Sequence, residues 1–96
     1  MALVGIGDES IAVAAAAIGF TAAEITTAVI RAMCRVETAQ IRINTTQDPT
    51  AGGSEGSLIK NVGDEFYITG HPDLFGFRAI RTSSVSGVLQ VIFEGE

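Results

Sequence analysis

The chain has 96 residues, 47% of them apolar, with eleven acids against six bases and a formal net charge of −5. That length holds one domain, and the acidic balance argues against nucleic acid and anionic membrane surfaces as partners, because phosphate neutralisation needs clustered Lys and Arg. One cysteine, Cys34, leaves no internal disulfide and no zinc-type ligand set, so neither a cofactor nor a metal site is expected.

In chain order, Gly5-Ile-Gly7-Asp8-Glu9 is glycine-rich but carries no phosphate-loop lysine. The apolar run Ile11 to Phe20 follows two acids where a signal peptide has basic residues, and it is shorter than the roughly twenty residues a membrane span needs. Its four consecutive alanines offer little area for a core. The run reads either as a short helix capped by Ser10 or Asp8 or as an edge strand; the favoured reading makes residues 1–20 an extended or strand-like apolar arm lying on a neighbouring subunit, with Ile11, Val13, Ile18 and Phe20 as its contacts, ahead of a β-sandwich domain at 21–96.

Residues 21–40 carry two conflicting signals. Thr21-Ala-Ala-Glu24 matches a capping box, and Ile25, Val29, Met33 and Val36 recur at helical spacing. Against a helix, nine of the nineteen residues from Ile25 to Ile43 are Ile, Val or Thr, whose branched side chains suit a pleated surface. Alternation decides for strands. Ile30, Ala32, Cys34 and Val36 face inward against Arg31, Met33 and Arg35, and then Ile41 and Ile43 against Gln40, Arg42 and Asn44.

The loop 45–57, TTQDPTAGGSEGS, reads as a mobile flap or hairpin tip. Asn61-Val-Gly-Asp64 is a turn in which Gly63 takes positive φ. Strands are expected over Glu65–Thr69, with Phe66 and Ile68 inward, over Phe77–Thr82, and over Val88–Glu94 after a Ser/Gly loop. His71 falls in a turn, Gly-His-Pro-Asp, without a second ligand at metal spacing. Several short strands about ten residues apart predict an all-β fold, a small antiparallel sandwich or jelly-roll-like barrel.

No nucleophile elbow or paired acid–base set is present, so no catalytic residue is assigned. Strand-borne arginines, Arg31, Arg35, Arg42, Arg78 and Arg81, are candidates for a sheet face that meets another subunit, where Arg is enriched.

From Glu37 to Glu94, the blocks Gln40-Ile41-Arg42, Asp48-Pro49-Thr50, Gly63-Asp64, Phe77-Arg78-Ala79-Ile80-Arg81 and Gly87-x-Leu89-x-Val91 resemble small structural proteins of tailed bacteriophages. The chain departs from their pattern in INTTQ before Asp48 and in a longer glycine insertion after Pro49, and residues 1–20 lie outside the resemblance. It implies a component of the virion; the leading expectation is a capsid decoration (cement) protein, made in the host cytoplasm and bound to the capsid surface of the virion. Its partners would be the major capsid protein and further copies of itself, as a trimer or another oligomer, with Asp48 and Pro49 among the contacts. A neck or tail connector, or a carbohydrate- or host-surface-binding module, are the alternatives.

Overall fold

The computed structural model describes residues 3–53 and 55–96. Its strands are β1 (Val4–Val13), β2 (Val29–Glu37), β3 (Ile41–Asn44), β4 (Leu58–Lys60), β5 (Glu65–Thr69), β6 (Arg78–Arg81) and β7 (Gly87–Gly95), with one short helix, α1 (His71–Gly76). They form two antiparallel sheets, β1-β7-β2-β5 and β4-β3-β6, packed across a single core. The all-β fold predicted from alternation is the one observed.

Alternation sets the faces. Cys34 lies opposite Val91 and Val36 opposite Leu89, and all four side chains point into the core. Ile30 does not follow its predicted face: a bulge between Val29 and Arg31 buries Val29 and leaves Ile30 exposed. The helical reading of 21–40 fails apart from one 3-10 turn, Ala22–Glu24. Thr21 does not cap that turn with its side chain; its N–H and hydroxyl both donate to the Glu9 carboxylate, at 2.9 and 2.7 Å. An acid on the inner side of the edge strand thus anchors the start of the next segment.

The separate N-terminal arm is the main correction. Residues 4–13 are an integral strand, paired with β7 from Val4 opposite Gly95 to Val13 opposite Gly87. Ile11, Val13 and Phe20 lie in the core, at 5, 0 and 8% exposure, so they are unavailable to a neighbour. The reason is tertiary: without β1, one edge of β7 and the core side chains beneath it would be bare. The alanines, poor in area, form the crossover between the sheets, where Ala14 accepts a hydrogen bond from the Arg81 N–H and Ile18 exchanges two with Ala79.

Two further elements escaped the sequence reading, β4 and α1. The expected turn at His71 is the first turn of α1, with Pro72 near its start, where the missing N–H costs nothing. It buries Leu74 completely. Gly63, at φ 91°, takes the left-handed conformation expected of it.

Three rings lock the sheets together. Phe20 stacks on Phe77, with centroids 4.3 Å apart and planes at 8°, and meets Phe93 edge-on at 5.5 Å.

The 45–57 segment, read as a mobile flap or a hairpin tip, is the tip of the β3–β4 hairpin, and its described residues are tied to the second sheet by side chains. Asn44, placed on the solvent side from its sequence, is 4% exposed. Its amide donates to the Glu55 carbonyl at 3.1 Å, and its oxygen accepts from the Thr46 N–H and hydroxyl at 2.8 and 3.0 Å. Arg42 Nε donates to the Ala51 carbonyl at 3.1 Å. A buried polar side chain is tolerated here because its donor and acceptor are both used.

Candidate interaction surface

A groove of about 470 Å³ lies on the outer face of the four-stranded sheet. Strand register sets that face in rows: Asp8, Ile92, Met33 and Tyr67 in one, of which the first three line the groove, and Ser10, Gln90, Arg35 and Glu65 in the next. Ile92 and Met33 are the apolar part of its floor. Ile92 and Tyr67 remain 40 and 52% exposed, against the complete burial of Leu89 and Phe93 on the other side of the same sheet.

Charged side chains on this face are already held in place. Arg31 Nε donates to Glu94 at 2.7 Å, and its guanidinium lies 4.3 Å from the centre of the Tyr67 ring. Arg35 pairs with Glu65 at 3.3 Å, and the Gln90 amide donates to Glu37 at 3.1 Å. The exposed Arg35–Glu65 pair adds little stability. Together these contacts fix the orientation of the groups a partner would meet.

The predicted single arginine face divides in two. Arg31 and Arg35 stand on the groove face, whereas Arg42 and Arg78 stand on the outer face of the three-stranded sheet. There Arg78 donates to the Phe75 and Phe77 carbonyls at 3.0 and 2.6 Å and lies 3.7 Å from Asp48. Arg81 shares the side of Ile41 and reaches the Ser86 hydroxyl at 3.3 Å. Pro49 is buried under the loop and Ile18 is exposed at 40%. Five of the predicted contacts thus lie away from the groove, on the second sheet or its loop, and three lie in the core. Ile92, Gln90 and Glu37 also line the groove and were not among the predicted residues, although Gln90 and Ile92 alternate with the inward Leu89, Val91 and Phe93 of β7.

Cys34 lies beneath the groove, and burial pushes its thiol from 9.0 up to about 12. It therefore stays protonated at neutral pH and is a poor nucleophile. Because the unfolded chain loses this proton near pH 9 and the folded chain does not, it is the unfolded state that gains from alkali. Folding stability is expected to fall above pH 9, by about 1.4 kcal/mol at pH 10 from this group alone. Urea titrations of the native chain and Cys34→Ala across pH 8–10 measure it, and equal slopes in the two would refute the assignment.

The His71 ring makes a 3.1 Å hydrogen bond from Nε2 to the Thr26 carbonyl. Among the described residues, no group of three His, Cys, Asp or Glu side chains is placed to hold a metal ion, and no helix is long and apolar enough to cross a membrane. No family model, curated protein or solved structure matches this chain.

Proposed function

We propose that the chain is a virion protein of a tailed bacteriophage, a capsid decoration protein that binds the outside of the head as an oligomer and stabilises the capsid lattice. The observation that carries this reading is the groove face, with its exposed Ile92 and Tyr67 between side chains already oriented by ion pairs and hydrogen bonds. A rigid β frame with such a face loses little conformational entropy on docking. The resemblance of the blocks between Glu37 and Glu94 to phage structural proteins supplies the setting. Mass action supplies the mechanism, since a subunit that binds the assembled shell better than its parts shifts stability toward the shell.

The reading is non-catalytic. It places Arg31, Arg35 and the groove floor against the major capsid protein. Glycan binding fits less well, because the Arg31 guanidinium already sits over the Tyr67 ring, the surface on which a sugar would stack.

The copy number of this chain relative to the major capsid protein, from quantitative mass spectrometry of particles of the encoding phage, tests the proposal. One copy per capsid subunit, or a simple fraction of that, is expected. A ring-sized count would instead make it a neck or tail connector, and its absence from particles would overturn the virion reading.

A further inference from the structure

We propose that β1 pairs antiparallel with β1 of a second copy of this chain, with Ser10 opposite Ser10, joining two four-stranded sheets into one of eight strands with the two grooves side by side. The inference deepens the oligomer part of the reading above, and it can stand if the shell part fails.

The starting observation is a long edge whose outward backbone groups have no partner among the described residues. β1 is ten residues long and bonds to β7 on one side only. Among the described residues no other hydrogen bond, from backbone or side chain, reaches its main chain. Sheet edges in soluble proteins are normally blunted by shortness, proline, charge, bulges or a covering segment. The other three edges of this sandwich follow that rule. β4 has three residues and ends in Lys60, β5 has five, and β6 is covered by the crossover through Ala14 and Ile18. β1 has an irregularity between Gly5 and Gly7 and an inward acid, Glu9, but no Pro or Lys; the stretch from Asp8 to Val13 is regular and, on its outer side, uncovered by hydrogen bonds, and Val4 and Ile6 are exposed.

Its side chains favour a copy of itself in one register. In a two-fold antiparallel pair, a residue at the axis faces its own copy and same-face neighbours match around it. An axis at Asp8 or Glu9 would set identical acids about 5 Å apart, which is unfavourable. At Gly7 or earlier it would fall on the irregular stretch between Gly5 and Gly7. At Ile11 or later the pairing would run into Ala14, whose carbonyl already accepts from Arg81. Ser10 remains. It sets Ala12 opposite Asp8 of the copy and holds the two Asp8 carboxylates roughly 13 Å apart along the strands, beyond the screening length of about 8 Å at physiological salt.

The groove supports the same partner. Asp8, Glu9 and Ser10 are among its lining residues, so it extends to the β1 edge, where a copy paired there would lie beside it.

Sedimentation velocity of the full chain, alone and over a range of concentrations, is the test. A dimer of twice 10.0 kDa is expected. Ala12→Asp places like charges opposite each other at two points and should raise the dissociation constant about tenfold or more. Adding Asp8→Lys to it puts opposite charges there and should restore the dimer. Circular dichroism verifies that each variant is folded. If Ala12→Asp does not fold, air oxidation of Ser10→Cys should give a disulfide-linked dimer, since residues at the axis meet at bridging distance. A native chain that stays monomeric up to about 1 mM, a trimer as its smallest oligomer, a folded Ala12→Asp that dimerises as tightly as the native chain, or no cross-link at position 10 would each overturn the proposal. Because no capsid is present, failure of shell binding and failure of dimerisation are read separately.

Discussion

Phe77→Ala is expected to destabilise the domain by about 3–5 kcal/mol, a large part of the roughly 5–15 kcal/mol that holds a chain of this size folded. Phe77 has no exposed surface, and its ring lies between the two sheets, stacked on Phe20 and 6.3 Å from Phe66. Truncation removes the ring's transfer energy and leaves a cavity the rigid sheets cannot close. Phe20 also loses the partner that orients it toward Phe93. Urea unfolding followed by circular dichroism measures the loss. A cost below about 1 kcal/mol would mean that the ring stack does not join the sheets. Phe75→Ala, two residues earlier at an exposed position in α1, should cost far less and serves as the control.

Gly87 gives the second large effect, through excess instead of loss. It opens β7 at the point where the chain passes under the β2–β3 corner, and a Cβ there would lie 2.7 Å from Ile41 Cγ2 and 2.8 Å from the Ala39 carbonyl oxygen. The second neighbour is backbone, at a corner where Thr38 is already held at φ 74° by the tight turn between Glu37 and Ala39. It has little room to yield. Gly87→Ala should cost about 1–3 kcal/mol and Gly87→Val more. Gly52→Ala, with nothing near the new methyl, should be close to neutral. Equal stabilities of Gly87→Ala and Gly52→Ala in the same urea series would refute the close approach.

The groove depends on neither change directly. It depends on the twist and spacing of four strands, so loss of packing at Phe77 or Gly87 is expected to remove the surface together with the fold.

How much of this was legible varies by element. β5 matches its predicted bounds, and β2, β3, β6 and β7 fall within one residue of theirs at each end. Local steric preference and period-two alternation act within a few residues, so a short stretch carries them. β1 hid because its two inward aliphatics, Ile11 and Val13, sit at one end, while its middle is glycine and acid. Asn44 was read as a solvent-facing residue because nothing local says that Glu55 and Thr46 will satisfy it. α1 was hidden by its turn-like Gly-His-Pro-Asp opening.

The sequence by itself determined five of the seven strands, the absence of an internal disulfide, the acidic balance and the inward set of the central strands. Only the tertiary structure decided that residues 4–13 close a sheet, that Arg31 and Arg35 stand on one outer face, Arg42 and Arg78 on the other and Arg81 on neither, and that β1 is left as an edge. Each of these depends on pairing between segments as far apart as Val4 and Gly95. A single bulge, as at Val29 and Arg31, redirects side chains without changing the composition of the strand that carries them.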